Sequence, residues 1–224
     1  MRTVFFKLLI ITLAFSIVSC KKENTFTDYK YADGPAVITC EGLNSKLYQE
    51  ALYAFENDIL TYHKKINTST TLVQAYSRVM RASIYGQLKL EEIISAHTVK
   101  VFKALKNEND LWVEGNPKSR LNYNSIIVNC ISKNIMDKAL NTTFNALIST
   151  NSMSPKLFGS PLMSKFTRTS NDKYLATYIA LDLFYAKLFD VDLSKINFDK
   201  KEPLEDFDVI LKKPEADPHA GHNH

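Results

Sequence analysis

The clearest pattern in the chain is a stripe of apolar residues that begins just after residue 44. Its members recur at alternating gaps of four and three residues, and they are Tyr48, Leu52, Phe55, Ile59, Tyr62 and Ile66. This spacing places all of them on one face of an α-helix. Asn44 and Ser45 precede the stripe and are favourable N-cap residues. The pattern therefore predicts a helix over residues 44–66 with one face against a core.

Two further stretches have helical spacing. The first covers residues 72–105, where Gly86 predicts a break or kink because an interior glycine costs about 1 kcal/mol relative to alanine. The second covers residues 123–148, as one continuous helix or as two. After it, Pro155, Gly159 and Pro161 predict a long connection without helix.

The last strong element, residues 174–189, is apolar on nearly every side. Asn171 and Asp172 precede it and suit its N-cap and first turn. A helix without a polar face is a buried one, so this element is predicted to be the central helix of the fold. It is too short for a membrane span, which needs about 20 apolar residues, and it carries Asp182 at its middle.

These elements predict an all-α fold, a single helical bundle of four to six helices over residues 43–198. Residues 20–42 have no helical period, which predicts a flexible tether whose part 36–40 lies against the domain. Residues 199–224 mix charges of both signs with three prolines and predict a disordered tail. With 45% hydrophobic and 23% charged residues the chain has the composition of a globular protein, and 6 glycines are few for a β protein built on turns.

The amino end has a different pattern. Arg2 and Lys7 come before an uncharged, mostly apolar run over residues 8–18. Two cations followed by such a run are typical of a secretory signal peptide, and the run is too short to cross a bilayer. Residues 1–19 are therefore predicted to be a signal peptide that is removed.

The apolar run ends in the tetrapeptide Ile17–Cys20, which reads Ile-Val-Ser-Cys. This tetrapeptide resembles the lipobox of bacterial lipoproteins, in which the cysteine is diacylated and becomes the first residue after cleavage. The resemblance covers residues 1–20 and implies lipid on Cys20, through which the chain is held at a membrane. Lys21 stands where an aspartate favours the inner membrane, so the outer membrane is predicted, with the domain on the periplasmic face or at the cell surface.

Two cysteines remain for the domain, Cys40 and Cys130. The envelope outside the inner membrane permits disulfides, and a bridge closing a loop of about 90 residues is worth roughly 4 kcal/mol on the chain-entropy estimate. Free cysteines, however, are often small buried apolar groups. The sequence leaves both alternatives open.

Histidines offer the only metal chemistry in the sequence. The chain ends with His219, His222 and His224, and imidazoles on a flexible backbone bind Zn, Cu or Ni, although a merely solvated tail is the alternative. His63 and His97 lie on predicted helices that also carry glutamates. Their spacing from those glutamates departs from the Glu-x-x-His pairs of ferritin-like sites, which favours histidines packed at a seam between helices.

No catalytic motif stands out in the sequence, which has no Gly-rich phosphate loop, nucleophile elbow or paired-cysteine metal motif. Residues 170–173 match the Ser-x-x-Lys of penicillin-binding enzymes, but a helix start explains them equally well. Two aromatic groups are candidates for core or for a ligand pocket, Tyr48, Phe55 and Tyr62 on the first helix and Phe184, Tyr185 and Phe189 on the last.

Charge narrows the function classes further. Removal of residues 1–19 takes away Arg2 and Lys7 and no acid, which lowers the formal charge from +4 to +2. A nearly neutral chain without a basic cluster argues against a nucleic-acid partner. The sequence therefore predicts a lipid-anchored envelope lipoprotein without a cofactor, a non-catalytic binding or structural module for an unidentified envelope protein or ligand. The alternative is a metal-handling envelope protein that uses the histidine tail.

Overall fold

The computed structural model describes residues 26–116 and 118–198. Over these residues the predicted all-α fold is confirmed, with eight α-helices around one hydrophobic core. The helices are α1 (Ser45–Ile66), α2 (Leu72–Ile84), α3 (Leu90–Ile93), α4 (Ala96–Leu105), α5 (Ile126–Asn134), α6 (Lys138–Ser149), α7 (Pro155–Ser164) and α8 (Lys173–Tyr178). Their number exceeds the predicted four to six because predicted elements are divided and one helix was not predicted.

Helix α1 begins where the sequence predicts. The Asn44 side chain caps it by accepting a hydrogen bond from the backbone N–H of Leu47 at 3.3 Å. The first four members of the apolar stripe, Tyr48, Leu52, Phe55 and Ile59, are fully buried. Tyr62 is only half-buried and Ile66 is 67% exposed. The stripe therefore leaves the core at the C-terminal end of α1.

The predicted helix over residues 72–105 is divided into α2, α3 and α4. Gly86 has a φ angle of +69°, a conformation that residues with a side chain rarely adopt, so regular helix ends before it. Ser95 then caps α4 by accepting a hydrogen bond from the backbone N–H of Thr98 at 3.2 Å. Between α2 and α3, residues 87–89 lie beside the C-terminal end of α1.

The predicted element over residues 123–148 is two helices, α5 and α6. The carboxylate of Asp137 accepts hydrogen bonds from the backbone N–H groups of Ala139 and Leu140, both at 3.1 Å, and so caps α6. The capping residue marks the restart of the helix.

The prediction of a long connection at residues 155–161 is wrong, because this stretch forms α7. Pro155 occupies the first turn, where the missing N–H has no intrahelical partner in any case, and the Ser154 side chain caps the helix. Gly159 packs so closely on α2 that a Cβ atom there would lie 2.8 Å from Cδ1 of Ile84. The glycine therefore serves close helix packing instead of a turn.

The apolar segment 174–189 is buried within the domain, as predicted, but its helical geometry changes along its length. Asp172 caps α8 by accepting from the backbone N–H of Leu175 at 3.0 Å. The segment then continues as π-helix over Ile179–Phe184 and as 3-10 helix over Tyr185–Asp190. Along residues 26–116 and 118–198, no helix combines the length and the apolar composition needed to cross a membrane.

The described part of the predicted tether, residues 26–42, lies against the helices. Its predicted contact at residues 36–40 is present, because Val37, Ile38 and Cys40 are buried. The contact begins earlier than predicted, since Tyr31 is buried too and Phe26 packs against the core. We call residues 26–42 the N-terminal strap.

Candidate functional site

Two groups of predicted site residues lie outside the described part of the chain. These are Cys20, the predicted lipidation site, and the predicted metal ligands His219, His222 and His224. Both remain predictions.

Cys40 and Cys130 form a disulfide in the structure, which is one of the two alternatives that the sequence left open. Their Cα atoms are 6.1 Å apart, and the bridge links the N-terminal strap to α5. It therefore ties the chain just before α1 to a helix about 90 residues further on. A disulfide of this kind cross-links the domain and supplies no reactive thiol.

His97 and Glu50 form the second attachment of the strap. The Nε2 atom of His97 lies 2.5 Å from Oε1 of Glu50, a fully buried carboxylate on α1. The same carboxylate accepts hydrogen bonds from the backbone N–H groups of Lys30 and Tyr31, at 2.7 and 3.0 Å. Three nitrogen atoms thus surround one buried carboxylate, and two of them belong to the strap. Sequence reasoning missed Glu50, since a glutamate on a helix ordinarily faces solvent.

The ring nitrogens of His97 are placed as follows. The Nε2 atom of His97 contacts Glu50, whereas its Nδ1 atom is buried without a hydrogen-bond partner among the described residues and lies 4.0 Å from Oδ2 of Asp28. Within residues 26–116 and 118–198, no group of three or more His, Cys, Asp or Glu side chains is placed to hold a metal ion. His97 therefore belongs to the packing of the strap.

The Ser-x-x-Lys match at residues 170–173 has a structural explanation. Lys173 Nζ lies 3.1 Å from Oε1 of Glu56, and the Tyr76 hydroxyl donates to the same oxygen at 2.8 Å. Burial raises the pKa of the Glu56 carboxyl, and Lys173 and Tyr76 oppose that rise. Lys173 is paired with Glu56, and Asp172 caps α8. The match at residues 170–173 is therefore explained by the start of a helix.

Asp182 is another fully buried carboxylate that has several hydrogen-bond partners. It accepts hydrogen bonds from the hydroxyls of Ser119, Tyr123 at 3.0 Å and Tyr178 at 2.8 Å. Burial raises the pKa of the Asp182 carboxyl, and these hydroxyl donors lower it. The π-helical turn carries Asp182, so the partners hold an irregular part of the backbone.

A surface groove has a different character from these paired acids. It lies between the C-terminal end of α1, the middle of α2 and the segment that leads into α3, and its volume is about 470 Å³. Ligand pockets commonly measure about 300–1,000 Å³. Its lining is mixed, with apolar or aromatic members Tyr62, Ile66, Val79, Ala82, Leu88 and Ile93 and polar members His63, Arg78, Gln87 and Lys89. We call it the α1–α2 groove.

His63 is the unusual member of this lining. Its side chain is buried, with 8% of the residue exposed, and both ring nitrogens are buried without a hydrogen-bond partner among the described residues. Burial and the nearby charge of Arg78 lower the pKa of His63, so its imidazole is neutral at pH 7. A neutral imidazole carries one N–H donor and one acceptor, and here neither is used within the fold.

The two cations of the α1–α2 groove have different partners. Lys89 is matched by Glu92, with Nζ 3.3 Å from Oε1, and the Tyr62 hydroxyl donates to the other oxygen of Glu92 at 2.8 Å. Arg78 instead donates to a neutral hydroxyl, Oγ1 of Thr70, at 3.4 Å. Among the described residues, no carboxylate lies within ion-pair distance of Arg78. The groove therefore holds one positive charge without a counter-charge.

The sequence indicated only part of this groove. It placed His63 at a packed seam and Tyr62 on an aromatic stripe, and both line the groove. The other aromatic residues of the two candidate groups belong mainly to the core, with Tyr48, Phe55, Phe184 and Tyr185 fully buried and Phe189 partly buried. Arg78 and Leu88 were missed, since their contribution depends on the turn at Gly86.

No model of a known protein family, no curated protein and no solved structure matches this chain. The site is therefore interpreted from its own chemistry. The buried acids Glu50, Glu56 and Asp182 are bound into the fold by hydrogen bonds, whereas the α1–α2 groove combines an unpartnered imidazole with an unmatched cation. We take this groove as the candidate binding site.

Proposed function

We propose that this protein is a lipid-anchored lipoprotein of the bacterial outer membrane and that its helical domain is a non-catalytic binding module. The anchor rests on the signal peptide pattern and on Cys20 at the end of the lipobox-like tetrapeptide. The binding role rests on one structural observation, the buried and unpartnered imidazole of His63 in the α1–α2 groove. Buried polar groups in folded proteins nearly always have partners, so this imidazole is expected to meet one from outside the chain.

The strap supports the anchoring proposal. Phe26 already packs against the core and its ring lies 6.4 Å from that of His97. Residues 21–25 alone separate this contact from Cys20, and such a segment spans at most about 20 Å when fully extended. A lipid on Cys20 would therefore hold the domain close to the membrane surface. The disulfide between Cys40 and Cys130 is consistent with an oxidising envelope compartment.

The anchor is tested by metabolic labelling with palmitate in the bacterium that makes the protein. The wild-type chain should incorporate label and fractionate with the outer membrane, and Cys20→Ala should lose the label. A matched control, Cys40→Ser combined with Cys130→Ser, removes the other two cysteines and should keep the label. Label that persists in Cys20→Ala would overturn the anchor.

The binding role is tested by mass spectrometry of small molecules that co-purify with the protein from its own envelope. Wild-type protein should retain at least one compound that Arg78→Gln loses. Arg81→Gln is the matched control, because Arg81 is an exposed cation on the same helix and does not line the groove. If Arg78→Gln retains the same compounds as the wild type and Arg81→Gln, binding at this site is contradicted.

A further inference from the structure

The α1–α2 groove is amphipathic. Val79 and Ile93 are buried apolar residues of its lining, and Leu88 is half-buried. At its rim Ile66 is 67% exposed, although it belongs to the same apolar stripe as the core residues of α1. An apolar body in the groove would remove the Ile66 side chain from water, which favours binding.

The polar atoms of the groove favour an anion at one point of such a body. Arg78 contributes a guanidinium whose described partner is the neutral hydroxyl of Thr70. A guanidinium presents several N–H donors in a planar fork that matches the two oxygens of a carboxylate. Lys89 is already neutralised by Glu92, so the groove as a whole offers one unmatched positive charge. One charge suits a monoanion better than a phosphate dianion.

His63 supplies the second polar contact. Its neutral ring offers an N–H donor that the described residues leave unused, and Arg78 is near enough to influence its charge. A carboxylate held by Arg78 would therefore have a second donor at hand. Because the imidazole is buried, the hydrogen bond would form away from competing water and would be stronger than at an exposed site.

We infer that the α1–α2 groove binds a small amphipathic monocarboxylate, whose carboxylate contacts Arg78 and His63 and whose apolar body packs against Val79, Leu88 and Ile93. This inference rests on the proposed binding function and names the chemical class of its ligand. The volume of about 470 Å³ sets the size, since an apolar cavity of about 150 Å³ holds benzene. A chain of roughly eight carbons is thus a suitable probe.

The experiment is a nuclear magnetic resonance titration of residues 20–224 carrying Cys20→Ser, without detergent. Three probes share one tail and differ in the head group: octanoate, octan-1-ol and octylammonium. Octanoate should shift the ring resonances of His63 and the amide resonance of Leu88 at millimolar concentration. It should bind about tenfold more tightly than octan-1-ol, the ratio that corresponds to one charge-assisted contact of about 1.4 kcal/mol. Octylammonium should bind more weakly than either.

Two variants locate the head group. Arg78→Gln should reduce the affinity for octanoate to that for octan-1-ol, and His63→Leu should weaken octanoate several-fold while leaving octan-1-ol unchanged. Arg81 is the cation on α2 that lies outside the groove, so Arg81→Gln should bind all three probes like the wild type. The amide spectra of the unliganded variants show whether each of them is folded.

The outcomes separate the ligand class from the binding function. Equal affinities for octanoate and octan-1-ol would overturn the carboxylate inference and leave a binding groove in place. Octanoate binding that is unchanged in Arg78→Gln would overturn it as well. Absence of shifts at the groove with all three probes would overturn both this inference and the proposed binding role.

Discussion

Each end of α1 has a buried histidine, His97 of α4 beside its first turns and His63 of α1 itself in its last turn, and the surroundings of the two rings differ. Near the start of the helix, Glu50 receives Nε2 of His97 at 2.5 Å together with two backbone N–H groups of the strap. At the far end, both nitrogens of His63 are buried without a partner among the described residues, whereas in His97 only Nδ1 lacks one. Polar atoms that are buried and paired hold a fold together, whereas those left unpaired carry a cost that folding alone does not explain. The first end is therefore interpreted as architecture and the second as a site.

The strap end should lose the most stability when its covalent link is removed. Cys40→Ser combined with Cys130→Ser is expected to lower the free energy of unfolding by about 4 kcal/mol, because a loop of about 90 residues is then free in the unfolded chain. Urea unfolding followed by circular dichroism measures the change. Dithiothreitol should produce a similar loss in the wild type and none in the double variant. A wild type indifferent to the reductant would show that the strap is held without the bridge.

His97→Leu tests the polar half of the same attachment. The substitution leaves the Glu50 carboxylate buried and without its contact to Nε2 of His97, and leaving a buried polar group short of one partner costs about 1–3 kcal/mol. Urea unfolding should show this loss, and His97→Gln should recover part of it because its amide still offers an N–H donor. A cost below about 1 kcal/mol, the usual value of a surface ion pair, would mean that Glu50 is solvated and would remove the contrast between the two ends of α1.

The sequence predicted the helices better than it predicted the different surroundings of His63 and His97. Helix α1 was predicted within one residue, because its apolar stripe and its cap at Asn44 act locally. Helix α7 was missed, since Gly159 and Pro161 were interpreted as turn residues when the glycine serves contact with Ile84. The change to π-helix after Tyr178 was missed too, because a segment apolar on all sides has no polar face to reveal its phase.

The site was harder to predict because it depends on contacts between distant segments. The burial of Glu50 arises when the strap, 19 and 20 residues earlier in the chain, folds back on α1. Whether a buried histidine has a partner likewise depends on which helices meet it. The sequence placed His63 and His97 in one class, a packed seam, and only their neighbours in three dimensions distinguish them.

Asp182→Asn extends the comparison to a third buried polar group. Like Glu50, Asp182 has hydrogen-bond partners within the fold, and its pKa shift makes a stability change with pH measurable. Burial raises the pKa of Asp182 in the folded protein above its ordinary value of 3.8, so above that pH the unfolded chain loses its proton first. The free energy of unfolding should then fall as pH rises, by up to about 1.4 kcal/mol per pH unit from this group alone. Asparagine does not titrate and can still bond Ser119, Tyr123 and Tyr178.

The pH dependence is measured by urea unfolding of both proteins between pH 4 and pH 7. The difference between wild type and Asp182→Asn should shift in favour of the variant as pH rises. Parallel curves would show that the three hydroxyl donors offset the effect of burial completely. In that case the burial of Asp182 would carry no electrostatic cost, in contrast to the unpaired imidazole of His63.

The smallest effect on stability is expected at the groove itself. His63→Leu removes an imidazole that makes no hydrogen bond with the described residues and replaces it with an apolar side chain of similar size, so the free energy of unfolding at pH 7 should stay the same or rise by about 1 kcal/mol. The pKa of His63 is lowered on folding, so below its ordinary value of 6.5 the unfolded chain binds the proton first and the wild type loses stability as pH falls. The variant lacks this loss, and its advantage over the wild type should therefore grow between pH 7 and pH 5 in thermal melts.

The opposite outcome is a loss of about 2 kcal/mol or more at pH 7. Breaking a satisfied buried hydrogen bond costs about 1–3 kcal/mol, so such a loss would mean that His63 is paired in solution. Both ends of α1 would then be architecture, and the groove would no longer be distinguished from the rest of the surface.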